Sequence, residues 1–341
     1  MNNSAPPQLL SVTAAAPDLV TLADLHGARQ RLRGVAHITP LVPAEFGCHG
    51  KVWLKAECMQ PIGSFKLRGA YNKAASLAPE ALRRGLITYS SGNHAQGVAY
   101  AARALGTRAV IVMPSNAPAV KRRATEALGA EIVTVGPGSQ ERRTKAEELA
   151  AAHGYTIIPP YDDQQIIAGQ GTCGLEILAD LPDVDVVVAP VGGGGLLSGI
   201  SAAIKLQQPA IQVWGAEPAL AADASQSMAS GRIVGLTAEQ TSRTIADGLR
   251  TQRVGELNFA HMQAFADGVV TVTEAEIRQA MRAAILDARL VAEPSGAVAL
   301  AAALYHAQEL NAAGKTVCVV VSGGNVEPEM LADVLREAPA R

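Results

Sequence analysis

Aromatic side chains make up only 4% of the 341 residues, and no stripe of aromatic and basic residues occurs. Single-stranded nucleic acid therefore lacks its usual stacking platform. Charge of one sign never accumulates: the formal net charge is −2 and no long acidic or basic run appears, which leaves no polyanion partner to invoke. Cysteine is sparse. Cys48, Cys58, Cys173 and Cys318 are scattered with no C-x-x-C pair, which argues against a disulfide framework or zinc site and for a reducing compartment. The amino-terminal "MNNSAPPQLLSVTAAAPDL" has neither the basic start nor the apolar centre of a signal peptide. Apolar runs such as "VDVVVAPV" fall far short of the roughly 20 residues a membrane-spanning helix needs. The expectation is a cytoplasmic protein with no membrane and no nucleic-acid partner, open to small neutral or zwitterionic ligands.

What is abundant is Ala, Val, Leu and Gly within a chain that is 48% hydrophobic. Its length suffices for two lobes or one large domain. Apolar runs, "KVWLKAE", "GLITYS", "RAVIVMP", "AEIVTVG", "YTIIPPY", "VDVVVAPV", "IQVWGAEP", "GVVTV" and "TVCVVVSG", read as strands. Amphipathic patterns lie between most of them, among them "NHAQGVAYAARALG", "PAVKRRATEALG", "SQERRTKAEELAAAHG", "GTCGLEILADL" and "EAEIRQAMRAAILDARL". Continuous Val/Ile runs alternating with helices predict an α/β, doubly wound fold with parallel sheets covered on both faces. Thr21 with Asp24 forms a capping pattern for a first helix, and the Pro/Ala/Ser-rich residues before it read as a loose segment. In such folds ligands sit beyond the carboxyl ends of strands, so the loops that follow strands carry the information.

Three of those loops stand out. In "VGGGGLLSG", Gly192, Gly193, Gly194 and Gly195 lie between a strand and a helix, where the backbone can approach a ligand and free N–H groups face it: a phosphate cup. The loop lacks the Gly-Lys-Ser/Thr of a P-loop and the spacing of a dinucleotide fingerprint, so a monophosphate fits better. In "SSGNHAQG", Ser90, Ser91, Gly92 and Asn93 crowd hydroxyls, an amide and N–H groups at a helix start, suited to a carboxylate or to ordinary capping. His94 beside them reads first as a packed helix histidine. Finally, "VVVSGGN" ends a strand at Ser322. Against these loops, "PIGSFKLRGAY" sets Lys66 just inside a helix start for which Ser64 is a suitable N-cap. If it faces inward, Lys66 must be desolvated, with a lowered pKa, or covalently engaged.

Taken together, "SFKLRGA", "SSGNHAQG", "AGQGT" at 168–172, "GGGG", "ADG" at 246–248, "EPSGA" at 293–297 and "SGGN" at 322–325 occur in an order that resembles the fold type II pyridoxal-phosphate enzymes, in the threonine dehydratase and serine racemase family. The resemblance runs from about residue 20 to 330. It implies a tryptophan-synthase-β-like fold of two doubly wound parallel-sheet domains with the cofactor between them. The loose segment would cover 1–19, the large cofactor-binding domain 20–85 and 163–341, and a small mobile domain 86–162. It further implies that Lys66 carries the cofactor as a Schiff base and that Phe65 flanks the ring. Asn93 would bind the ring hydroxyl, Gly192 to Gly195 and Leu196 would hold the phosphate, and Ser322 would face the pyridine nitrogen. Ser90, Ser91, Gly92, Asn93 and His94 become the loop for the substrate carboxylate. Glu217, the Ala221 carbonyl and Asp223 match the family's divalent-cation loop, suited to Mg²⁺ or Ca²⁺. Arg142 corresponds to an arginine of the racemases' mobile lobe. Assembly as a homodimer or homotetramer is implied as well.

The chemistry expected of such a site is elimination. Pyridoxal phosphate loosens the Cα proton of a bound amine, and Lys66 is placed to take it. A neutral Ser322 beside the pyridine nitrogen supports a long-lived carbanion poorly, so expulsion of a β-hydroxyl is favoured. The expected enzyme is a dehydratase, or ammonia-lyase, that converts L-threonine, L-serine or a bulkier analogue such as phenylserine to a 2-oxo acid and ammonia. Ser91 stands where serine racemases have Ser and many threonine dehydratases have Ala, so a racemase is the alternative activity. A non-catalytic amino-acid-binding protein is the alternative class. Ile62, close to the active-site entrance, replaces the Thr of many relatives and Tyr161 the Asn of racemases, while Arg250, in the "DGLRTQRVGELNF" that lines the substrate side in the family, receives no role. Nothing resembling a separate regulatory domain follows "SGGNVEPEM", which points to a catabolic enzyme.

Overall fold

The computed structural model of this chain describes residues 8–9, 18–46, 51–90, 92–136 and 139–337, which leaves Cys48 and Ser91 outside the described residues. All nine apolar runs form strands. Six strands make a large sheet in the order Gly268–Val272, Gln212–Pro218, Val186–Pro190, Val317–Val320, Val52–Lys55, Leu41–Ala44. Neighbours are parallel except the last pair, where Leu41–Ala44 runs antiparallel to Val52–Lys55. A second sheet, all parallel, has the order Glu131–Val135, Ala109–Pro114, Leu86–Tyr89, Thr156–Ile157. Within the segment expected to be loose, Gln8–Leu9 pairs with Val234–Gly235. Among the described residues no helix is long and apolar enough to cross a membrane.

The strand Val186–Pro190 shows why its sequence is apolar without alternation. Val186 and Val188 pack into one core with the Ala-rich helix Pro294–Tyr305, whereas Val187 and Ala189 pack into another with the helices Gln164–Asp180 and Gly195–Lys205. Successive side chains point to opposite faces, and both faces are covered. The last two helices meet at a glycine contact: a Cβ on Gly199 would lie 2.4 Å from the Gly171 nitrogen. The "AGQGT" motif thus lets the helix behind the tetraglycine loop pack almost backbone to backbone.

A buried ionic cluster fixes the helix Lys66–Ala75. Arg68, 1% exposed, donates to both oxygens of Glu57 at 2.7 and 2.8 Å and to both oxygens of Glu176 at 2.6 and 2.7 Å. Lys55, fully buried, reaches Glu176 at 2.7 Å, and Thr39 donates to Glu57 at 2.6 Å. Burial alone would raise the Glu57 carboxyl, but the Arg68 guanidinium overrides it and holds the group below its usual value. The cluster ties the strand that ends at Lys55, the turn at Glu57 and the helix Gln164–Asp180 to the first turn of the Lys66 helix. Two charges of each sign offset their own desolvation only while all four are present. Replacing Arg68 by Met is expected to destabilise the protein by about 3–5 kcal/mol, read from denaturant unfolding, because it strands buried carboxylates. Wild-type stability would contradict that account.

Candidate active site

The three loops singled out by sequence converge on one cavity. Val186–Pro190 and Val317–Val320 are adjacent parallel strands, so the tetraglycine loop and Ser322 emerge side by side from the carboxyl edge of the large sheet. Leu86–Tyr89 delivers Ser90, Gly92 and Asn93 from the carboxyl edge of the smaller sheet. Together with Phe65, Lys66, His94, Gly192 to Gly195, Leu196 and Ser322 they line a space of about 410 Å³. Of the residues expected at the site, Ser91 lies outside the described residues, and Glu217, Ala221 and Asp223 stand apart from the cavity lining.

Lys66 points inward. Its Nζ lies 2.7 Å from the Pro160 carbonyl and 5.2 Å from the Phe65 ring centre. Desolvation lowers its pKa to about 8. The helix that carries it does not start as expected, because Ser64 is not its cap. The flanking residue is Phe65, no side chain caps the helix, and the Ser64 hydroxyl has no partner. Ser64 is held extended by a bridge to Gly323, and the Phe65 N–H donates to the Ser322 carbonyl at 3.0 Å. Backbone of the Ser322 loop thus fixes the residue just before the helix and locks the two loops together.

In the tetraglycine loop, Gly194 is the left-handed flanking residue, φ 98°, of the helix Gly195–Lys205. A Cβ on Gly193 would lie 2.3 Å from the Tyr161 ring, and one on Gly194 2.8 Å from the Asn258 Cβ. Only glycines leave this cradle open. The first N–H groups of a helix have no intrahelical acceptor, and here they are presented to an anion at the positive end of the helix. A phosphate monoester fits that donor set, and the amine of Lys66 in the same cavity suits an aldehyde, so the residues present match pyridoxal phosphate.

Asn93 is fully oriented. Its Nδ2 donates to Glu293, and its Oδ1 accepts from Asn325 Nδ2 at 2.9 Å, which also donates to the Ile62 carbonyl at 2.8 Å. His94 is buried, with Nε2 3.0 Å from the Ile158 carbonyl. Burial and the nearby Lys66 lower its pKa to about 3, so it is a neutral packed imidazole in the cavity wall. Ser90 Oγ accepts from the Gly92 N–H at 3.3 Å. Arg142 lines the cavity, and desolvation lowers its pKa. Arg250, left without a role by the sequence, donates to the Thr244 carbonyl at 2.9 and 2.6 Å and so holds its own loop in shape.

Sequence reasoning passed over several residues here. Asn325, Glu293 and Asp247 lay inside quoted motifs but received no part. Lys121 gave no signal at all, since "PAVKRRATEALG" reads as an ordinary amphipathic helix. Yet Lys121 is 2% exposed and reaches Asp247 at 2.7 Å and Glu293 at 2.9 Å. Burial works against its charge, but the two carboxylates prevail and raise its pKa to about 12.

Away from the cavity, Glu217 and Asp223 are each 1% exposed. Glu217 accepts from the N–H groups of Ala224 and Ser225 at 3.1 and 2.6 Å, while Asp223 Oδ2 has no partner. Burial, and for Glu217 also the neighbouring Asp223, raises both carboxyls, Asp223 to about 8. Two buried carboxylates with an orphaned oxygen are a donor set for a hard divalent cation.

This geometry sets a tetraglycine loop at a helix start and a desolvated lysine in one cavity between the two sheets. The chain belongs to the family of pyridoxal-phosphate dependent enzymes, whose model matches residues 33–323, and its fold is that of fold type II. Over 94% of its length and 79% of the relative's it is 40% identical to the L-threonine ammonia-lyase of Thermotoga maritima. It is 37% identical to the L-threo-3-hydroxyaspartate ammonia-lyase of Saccharomyces cerevisiae, over 92% of this chain and 96% of that one. The crystal structure of serine racemase from Dictyostelium discoideum superposes with a TM-score of 0.83 at 38% identity, covering 90% of this chain and 99% of that one.

The lysine's titration is directly testable. At pH 7 roughly a tenth of an amine with a pKa near 8 is free base, against about one part in 2,500 for an ordinary lysine. Covalent capture of Lys66 by an aldehyde probe on the cofactor-free protein is therefore expected to rise with pH to a midpoint near 8, read by peptide mass. A midpoint above 10 would remove the desolvation argument.

Proposed function

We propose that this chain is a pyridoxal-phosphate dependent ammonia-lyase that converts a β-hydroxy-α-amino acid to a 2-oxo acid and ammonia. The observation that carries the reading is the desolvated Lys66 amine in one cavity with the tetraglycine cradle and Ser322. When bound, the cofactor supplies the electron sink that loosens the substrate's Cα proton. Lys66 would tether the cofactor, and its Nζ is placed to take that proton. Gly192 to Gly195 and Leu196 would hold the phosphate with backbone N–H groups, Phe65 would flank the ring, and Asn93 would bind its hydroxyl. Ser90, Ser91, Gly92, Asn93 and His94 receive the substrate carboxylate. Ser322 would offer the cofactor ring a neutral hydroxyl, which would stabilise positive charge there less than a carboxylate and so favour loss of the β-hydroxyl. The water expelled is balanced by the water later added, so the net products are the oxo acid and ammonia.

Threonine, serine and 3-hydroxyaspartate are the substrates we propose to compare first, with phenylserine as the bulkier case. Wild type is expected to release oxo acid and ammonia in equal amounts, and Lys66→Ala to lose about 10³-fold or more in kcat because base and tether go together. Equal turnover by both proteins would sink the assignment.

We further propose that Glu217, the Ala221 carbonyl and Asp223 bind Mg²⁺ or Ca²⁺. Support comes from the two buried carboxylates and the partnerless Asp223 Oδ2. Chelation is expected to lower the melting temperature of the wild type, with recovery on adding either ion, and to leave Asp223→Asn unmoved. No response in the wild type would exclude a stabilising ion there.

A further inference from the structure

The helix Ala119–Ala127 belongs to the unit built on the four-stranded sheet, yet its amino-terminal end is held by groups from the other unit. Pro118 precedes the helix and no side chain of its own neighbourhood caps it; instead the Val120 N–H donates to Glu327 Oε1 at 3.0 Å. One residue on, Lys121 is gripped by Asp247 at 2.7 Å and Glu293 at 2.9 Å, both on loops of the six-stranded unit. Glu293 is held a second time from the four-stranded side by Asn93 Nδ2. The Lys121 stem runs beneath the loop that follows Leu86–Tyr89, since a Cβ on Gly92 would lie 3.5 Å from its Cδ. One buried cation therefore touches the floor of that loop and two carboxylates across the seam, and all of these groups line the cavity.

We propose that Lys121 is a positioning residue: it draws the four-stranded unit onto the six-stranded unit across the cavity and sets the position of Gly92 and Asn93 relative to Lys66. The physical reason is asymmetry of cost. Separating the units would leave Asp247 and Glu293, two neighbouring carboxylates, without the charge between them, while Lys121 regained water. The two carboxylates' need for a cation thus favours the closed arrangement. The six-stranded unit's Glu327 adds a cap that exists only while the helix end is seated. The proposal rests on the ammonia-lyase reading only for its kinetic consequence; the seam itself is independent of it.

The test uses the holoenzyme as wild type, Lys121→Met, Lys121→Arg and Glu327→Gln. Amide exchange is followed along Ala119–Ala127 and, as a control, along Val186–Pro190 and Val317–Val320; KM and kcat for threonine are measured in parallel. Lys121→Met is expected to speed exchange in the helix roughly tenfold or more and to raise KM more than it lowers kcat, with exchange in the two strands and the cofactor absorbance unchanged. Lys121→Arg should recover most of the loss, since it returns a cation to the same two carboxylates, and Glu327→Gln should speed exchange chiefly at Val120. The inference is overturned if Lys121→Met leaves helix exchange and KM at wild-type values. It is overturned too if strands, helix and absorbance all loosen together with no rescue by Arg, which would make Lys121 a core residue only. Exchange is read without turnover, so a protein that failed the oxo-acid assay would still decide the seam.

Discussion

Everything in the cavity depends on where the first turn of one helix sits, and a guanidinium sets it. Arg68 makes two-point contacts with Glu57 and Glu176 at once, so its plane is fixed in two directions, and Lys66 lies two residues before it on the same turn. A lysine at Arg68 would supply a charge but not the fork that spans both carboxylates. The arrangement is costly to desolvate and is not an efficient source of stability; its value lies in allowing one geometry. Because Glu176 sits on the helix that packs backbone to backbone against the helix behind the tetraglycine loop, the same clamp links the amine to the phosphate cradle.

From that anchor the site is assembled largely by main chain. The Ser322 carbonyl accepts from the Phe65 N–H just before the Lys66 helix, the Pro160 carbonyl accepts from Lys66, and the Ile158 carbonyl orients His94. Side chains of the cavity wall are held in turn, as Asn93 is between Glu293 and Asn325. A lysine that is half free base near pH 8 and surrounded by fixed dipoles needs little rearrangement to take and return a proton.

The layout of strands and the three strand-following loops were legible in the sequence because continuous Val/Ile runs and clustered glycines each have one economical physical reading. Leu41–Ala44 escaped because Pro43 breaks the pattern, and its antiparallel place at the sheet's edge is where such a strand is tolerated. Ser64 misled because capping propensity is local, whereas the actual partner, Gly323, lies 259 positions away in the chain. Lys121, Asp247 and Glu293 could not be found by spacing at all. Their meeting is made by tertiary packing of two units, and a buried lysine on an amphipathic helix is written in the same letters as an exposed one.

The four-stranded sheet is spliced into the chain rather than appended to it, entering at Leu86 and leaving through Ile158 to Asp163. Any displacement between the two units must be absorbed at those two crossings. The outgoing one contains Pro159 and Pro160, which resist bending, then Tyr161 against the glycine loop and Asp162, whose carboxylate accepts from the N–H groups of Glu256 and Leu257 at 3.1 and 2.9 Å. Since the Pro160 oxygen is also the acceptor for Lys66, the strap that joins the two sheets fixes the amine through its own main chain.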